Sequence, residues 1–431
     1  MKSSISNQPV ILLNKFNKFI INKYLENKSG WKIDFKIALI AFSISLFFAF
    51  PSLWLYFRPD RAGRLFYQML QAENPLNREL PLDVQILSYR FFVPTLNYFL
   101  GLRSFNVVLI PLISSFFNIF LVSRILRTRT KDLEFTLISV IGISFTWFIV
   151  EGASFWGTTD SVAHLLLLIP AAFKVNPIYF VFAVPFSLFV DERAIFALLF
   201  LYFFLFRRDI QNINNFKTNI FFTNLNITQS LLLNSISMFL GVCLWLIGRF
   251  IIDAGILAPQ PDISIVTDQL PNFSSFFREY WFTQLLNYLS SFRWFYFYPV
   301  FLLVHLYGVS SNRLKKEYGF DFKRYFDLNF IIFLFYSSIV MINGDVWRSM
   351  AFTYFFILET MIILHTLKKD MSIYVNYWLT FLMIITPVSF FGLDLTPQIS
   401  FPMPLVLLRT YAGLGESFMP WFKELFKYVP S

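Results

Sequence analysis

From Ile37 onward the chain alternates long apolar runs with short polar stretches. A bilayer core about 30 Å thick takes roughly 20 apolar residues per helix, and lipid leaves every unpaired backbone group unsatisfied. On that spacing the pattern predicts spans over 37–57, 104–123, 133–150, 158–173, 177–190, 194–206, 230–252, 294–310, 328–343, 349–366 and 374–391, with 402–414 as a weaker twelfth. Pro170, Pro177 and Pro185 interrupt the pattern and blur the ends of the fourth to sixth spans. The run 84–100 is apolar too, but Arg90 and Pro94 fit a re-entrant or interfacial helix better than a span. The expected fold is therefore an all-α polytopic transmembrane helical bundle with about 11–12 spans. Residues 1–36 read as a cytoplasmic lead-in, with an amphipathic helix around Val10 to Tyr24. Residues 37–414 make the bundle, with outer loops 58–103 and 253–293, and 415–431 an amphipathic C-terminal tail.

Composition agrees. Of 431 residues 56% are hydrophobic and only 14% charged, against about 25% charged in soluble domains. That balance excludes a disordered chain and a secreted soluble enzyme, and a single cysteine, Cys243, excludes a disulfide scaffold. The first strong hydrophobic run begins only at Ile37, which does not fit a cleavable signal peptide. The many phenylalanines, 59 in all, carry no functional reading of their own.

Charge placement tests the span count independently. With the N-terminus inside, the segments 1–36, 124–132, 174–176, 207–229, 311–327 and 367–373 face the cytoplasm, and every lysine before residue 415 falls in one of them. The positive-inside rule predicts this bias, and a miscounted span would scramble it. The expected location is a plasma (inner) membrane, multi-pass, with a cytoplasmic N-terminus. The net charge of +10 then anchors cytoplasmic segments to anionic headgroups, and no interleaved basic and stacking run points to nucleic acid.

Acids and arginines gather at the opposite face. Arg is preferred over Lys where planar, bidentate binding of phosphate or carboxylate matters. The first outer loop opens with Arg58-Pro59-Asp60-Arg61-Ala62-Gly63-Arg64. Pro59 favours a helix start and Asp60 suits its positive end, while Leu65, Phe66, Met69 and Leu70 mark a face for the membrane surface. Asp60 then reads either as a general base beside phosphate-binding guanidiniums of Arg58, Arg61 and Arg64, or as an N-cap acid in a solvated salt-bridge network.

Three further clusters carry polar chemistry. In the stretch Glu151 to His164, Asp160 and His164 are four apart and share a helix face. They could pair with each other, bind a metal with further ligands, or simply cap a helix beside a buried histidine. Asp191-Glu192-Arg193 sits between two apolar runs, where three charges are costly unless they face a cavity or one another. Asp345 and Arg348, in Asn343-Gly344-Asp345-Val346-Trp347-Arg348, are three apart and can pair locally. His305 and His365 fall near inner ends of spans and receive no catalytic role; Glu359 is expected to face the bundle.

This organisation resembles the GT-C class of membrane glycosyltransferases. Members have a cytoplasmic N-terminus, about 8–14 spans, and an essential acid just after the first span, where this chain has Asp60. The Thr158-Thr159-Asp160-Ser161-Val162-Ala163-His164 stretch and Asp191-Glu192-Arg193 are similar to polar outer-loop motifs of bacterial relatives. The resemblance implies inverting sugar transfer from a polyprenyl-phosphate carrier to an envelope glycan or lipid acceptor at the outer face. Asp60 would deprotonate the acceptor hydroxyl, and Arg193 or Arg348 would hold the lipid phosphate. Many members carry paired acids where this chain has Pro59-Asp60-Arg61, which leaves use of a divalent metal open. Two other readings stand beside it: a glycan polymerase or ligase, and a multispan transporter or flippase. Transport would favour mid-membrane charges and internal repeats, and neither is evident in the pattern.

Overall fold

The computed structural model describes residues 8–25, 30–49, 63–75, 90–153, 158–211, 227–254, 284–309, 321–341, 346–386, 389–391 and 397–399. Among them the architecture is helical apart from two short antiparallel strands, β1 (Ser389–Phe391) and β2 (Pro397–Ile399). The chain opens with α1 (Gln8–Ile20), a π-helical turn Ile21–Leu25, and α2 (Trp31–Ala49). Next come α3 (Gly63–Glu73) and α4 (Phe92–Phe99). Then come α5 (Leu109–Thr130), α6 (Leu133–Ile143), α7 (Trp147–Ala153), α8 (Asp160–Ala172), α9 (Ile178–Val190), α10 (Ala194–Gln211) and α11 (Ile227–Asp253). The remainder is α12 (284–292), α13 (Phe297–Tyr307), α14 (Phe322–Val340), α15 (Val346–Ala351), α16 (Tyr354–Leu367) and α17 (Lys369–Ile385). The predicted twelfth run 402–414 and the tail 415–431 lie outside the described residues.

Helix α5 is the axis of the packing, touching α2, α6, α7, α8 and α16. It ends where Lys131 adopts a left-handed conformation (φ 54°) and returns its N–H to Arg127 O at 3.0 Å. Asp132 then caps α6, its Oδ1 accepting the Phe135 N–H at 2.9 Å. Helix α16 is buried on all sides except Thr366, as expected of an element apolar all round. α2 is tied to α5 by a two-point ion pair from Arg127 to Asp34, at 2.6 and 2.8 Å.

Two of the predicted apolar runs are broken. The run 133–150 becomes α6 and α7, interrupted where Ser144 Oγ and Thr146 Oγ1 donate to Ile141 O and Ile143 O. The run 349–366 is broken between α15 and α16, where Thr353 Oγ1 donates to Met350 O at 2.8 Å. Hydroxyls of this kind offer the backbone an alternative to continued helix. The short helices α7 and α15 pack on each other.

Among the described residues two helices are long and apolar enough to cross a membrane: Asn106–Thr130, with mean hydropathy 1.9, and Leu231–Ile252, with 2.0. Leu133–Ile143, Asp160–Ala172, Ile178–Val190, Ala194–Arg207 and Tyr354–Leu367 are apolar but shorter.

Candidate functional site

Helices α7, α8 and α15 and the turn between α9 and α10 bring their charged residues to one place. Arg348, from α15, donates through Nε to Glu151 Oε1 at 2.7 Å and to Asp160 Oδ2 at 3.0 Å. Its Nη2 reaches Asp160 Oδ1 at 2.6 Å and Asp191 Oδ2 at 3.3 Å. Arg193 holds Asp191 in a fork, Nε to Oδ1 at 2.7 Å and Nη2 to Oδ2 at 2.5 Å, and also reaches Asp160 Oδ2 at 3.2 Å. Arg90, just before α4, closes the rim by binding Glu192 at 2.7 and 3.1 Å and Asp191 at 3.1 Å. Every member except Glu192 is buried.

Local sequence explains the assembly. Val190 ends α9 and Asp191 turns the chain, its Oδ1 accepting the Arg193 N–H at 3.0 Å. Asp160 is the first residue of α8, where an anion is stabilised by the helix dipole. Gly152, next to Glu151, lets α7 approach its neighbours: a Cβ there would lie 2.4 Å from both Ser115 Oγ and Ser161 Oγ. Ser115 Oγ donates to Ile149 O and Ser161 Oγ to Pro111 O, each at 3.0 Å.

The network sets three guanidiniums, Arg90, Arg193 and Arg348, against four carboxylates, Glu151, Asp160, Asp191 and the half-exposed Glu192. Full ionisation would leave a net negative charge in low dielectric, which is strongly unfavourable. The imbalance falls on Glu151. Burial, and then the neighbouring Asp160 carboxylate, push its pKa well above the ordinary carboxylate range, against the pull of Arg348. At Asp191 burial works in the same direction but is outweighed by Arg193, Arg90 and Arg348, which hold it well below that range. Arg90, although desolvated, is raised by Asp191 and Glu192.

His164 lies one turn along α8 from Asp160, fully buried between the rings of Phe148, Phe352 and Tyr354, at centroid distances of 4.9, 4.5 and 5.1 Å. Neither ring nitrogen has a hydrogen-bond partner among the described residues. The histidine is thus enclosed by aromatic rings beside the ion network. Among the described residues no group of three or more His, Cys, Asp or Glu side chains is placed to hold a metal ion.

A narrow cleft of about 10 Å³, room for roughly one water, adjoins the network. It is lined by Gln68 of α3, by Val107 and Val108 just before α5, by Pro111 in the first turn of α5, and by Gly152, Thr158 and Thr159. Gln68 Oε1 and Thr158 Oγ1 are buried there without a partner among the described residues. Ala72 and Met69 of α3 pack on Val107 and Val108, so the helix that starts three residues after Asp60 forms one wall.

Of the residues singled out in the sequence, Asp160, Asp191, Glu192, Arg193 and Arg348 therefore meet, and His164 stands alongside. Arg58, Asp60, Arg61 and Asp345 lie outside the described residues, so local pairing of Asp345 with Arg348 is not described; Arg64 falls in the first turn of α3. Two members of the network are not among the site residues expected from sequence. Glu151 carries a signal, an acid beside a glycine directly after an apolar run, whereas Arg90 in the sequence argues only against a span. Comparison with protein-family models, curated proteins and solved structures returned no match.

Proposed function

We propose that the chain is a polytopic membrane glycosyltransferase of GT-C type. It moves a sugar from a polyprenyl-phosphate carrier to a glycan or lipid acceptor at the outer face of the plasma (inner) membrane. The observation that carries this reading is the convergence of Arg193 and Arg348 with Asp160 and Asp191 in one buried network beside a cleft. A phosphate presents the same planar pairs of acceptors to a guanidinium as a carboxylate does. The forks of Arg193 and Arg348 are taken by Asp191 and Asp160, so a phosphorylated donor would displace one of these carboxylates from a guanidinium whose position they fix.

In this mechanism Arg193 or Arg348 holds the lipid phosphate and stabilises the charge that builds on it as the glycosidic bond breaks. Asp60 takes the proton from the acceptor hydroxyl as that oxygen attacks the anomeric carbon. Gln68 and Thr158 supply neutral polar groups in the narrow cleft that α3 shares with the network, which suits a single hydroxyl of an acceptor. The membrane setting is supported by α11, whose Leu232, Phe239, Ile247 and Phe250 are 59%, 67%, 55% and 70% exposed. A water-facing helix with that surface would be an aggregation liability.

Mass spectrometry of lipid-linked saccharides and glycolipids tests the proposal. Membranes lacking the protein, restored with it, or restored with Asp60→Asn are compared. A sugar-bearing lipid that disappears without the protein and stays absent with Asp60→Asn supports the transferase. Unchanged profiles with the protein demonstrably present favour transport instead.

A further inference from the structure

Helix α1 has two dissimilar faces. The inner one is fixed to the bundle: Asn17 Nδ2 donates to Glu134 O at 3.1 Å and to Tyr377 Oη at 2.8 Å, and Val10 packs against Ile138 and Tyr377. The outer face carries Ile11, Leu12, Phe16 and Phe19, which are 48%, 65%, 39% and 53% exposed. Lys15 and Lys18 are exposed among them, and Lys23 follows, its Nζ 5.2 Å from the Phe19 ring centre and 5.5 Å from that of Tyr24. No acidic residue occurs between Gln8 and Leu25. A purely water-facing helix has no use for four large apolar side chains on that surface, and a core-facing one has no place for the lysines.

The packing fixes how deep this helix sits. α1 runs alongside α6 from Glu134 to Ile138. Ile138 is five residues into α6, a rise of roughly 8 Å. The same end of α6 carries Lys131, and Asp132 there binds Lys369 Nζ at 2.9 Å, so it is the end the lysine distribution assigns to the cytoplasm. A helix lying in a leaflet is buried by roughly 5–10 Å at the boundary between headgroups and acyl chains, the depth this packing supplies.

We infer that α1 is an in-plane helix that docks on the anionic cytoplasmic leaflet, inserting Ile11, Leu12, Phe16 and Phe19 while Lys15, Lys18 and Lys23 reach lipid phosphates. Long basic side chains with apolar stems suit that boundary, and lysine attraction to anionic lipid adds to apolar burial. The inference is independent of sugar transfer, since it concerns the opposite end of the bundle from the arginine network.

The test uses the full chain in nanodiscs of phosphatidylcholine alone or with phosphatidylglycerol mixed in. A nitroxide is placed by Phe19→Cys in a Cys243→Ser background. The label is expected to be relaxed several-fold more by oxygen than by a water-soluble nickel chelate. Thermal unfolding of the unlabelled chain is expected to rise by at least about 2 °C with phosphatidylglycerol. High salt should remove that rise, and Lys15→Glu/Lys18→Glu/Lys23→Glu should lose it. A label equally open to the chelate, spin–spin broadening from a second copy, or an unfolding temperature indifferent to phosphatidylglycerol would each overturn the assignment. The label readout leaves all three lysines in place, so it stands even if the triple variant misfolds.

Discussion

Arg348 grips Asp160 with two parallel hydrogen bonds, Nη2 to Oδ1 at 2.6 Å and Nε to Oδ2 at 3.0 Å, across 188 positions of sequence. Both side chains are buried, so neither can be removed without leaving its partner's charge in low dielectric. Arg348→Ala is expected to destabilise the fold by about 3–5 kcal/mol. Arg348→Lys should recover only part of this, because an ammonium cannot reproduce the fork. Thermal unfolding of the two variants in detergent checks this; full stability of the alanine variant would sink the idea of a tightly coupled network.

The excess acid in that network makes stability depend on pH. Glu151 has a folded pKa above its ordinary 4.5. Its contribution is therefore complete below that value and is lost as pH rises through the folded pKa. Asp191 is displaced the other way, below 3.8, so its contribution is complete above that value and is lost only in stronger acid. Above the ordinary carboxylate range, therefore, Glu151 is the member of this pair that makes stability change with pH. The unfolding midpoint of the wild type should fall with rising pH more steeply than that of Glu151→Gln, which mimics the protonated acid. Superimposable profiles would show that Glu151 carries no such proton.

Close approach at Gly152 is the third expectation. A methyl group would stand 2.4 Å from two serine oxygens and 2.5 Å from Ser161 Cβ, distances that force α7 away from α5 and α8. Gly152→Ala should cost about 1–3 kcal/mol, as overpacking does, and, if the proposed transferase function holds, should reduce sugar transfer by displacing Glu151. Crystallographic or thermal evidence that alanine fits without loss would refute the packing described at this junction.

At the other end of the bundle Asp132 both caps α6 through Phe135 N–H and binds Lys369 Nζ, each at 2.9 Å. Lys369 is largely exposed, 63%, so the ion pair adds little and the cap stabilises more. Asp132→Ala is expected to cost about 0.5–2 kcal/mol and Asp132→Asn much less, whereas Lys369→Ala should be close to neutral. Equal losses for Asp132→Ala and Lys369→Ala would shift the weight from the cap to the pair.

How much of this was legible in the sequence differs by level. The apolar runs located the helices well: 230–252 lies within α11, and 177–190 differs from α9 by one residue at its start. The breaks at Ser144–Thr146 and Thr353 were not legible, because a hydroxyl that turns back to its own backbone looks the same in sequence as one that faces a neighbour. Asp191-Glu192-Arg193 announced a buried network by its cost between apolar runs, and the fold places Asp191 and Arg193 in it. Hydrophobic periodicity says nothing about which distant charges meet, so spacing pairs Arg348 with its neighbour Asp345 and not with Glu151, Asp160 and Asp191. Arg90 illustrates the same limit: its charge argues against a span, but only the fold brings it to Asp191 and Glu192.

The most direct measurement is sugar transfer by the purified chain in proteoliposomes, supplied with a polyprenyl-phosphate sugar and a pool of lipid acceptors. The transferase mechanism predicts release of polyprenyl phosphate together with a new glycosylated acceptor, both abolished by Asp60→Asn while the variant still inserts and folds. Wild-type activity from the Asp60→Asn form would remove Asp60 as the base. Movement of the intact donor across the bilayer with no bond broken would contradict the transferase altogether.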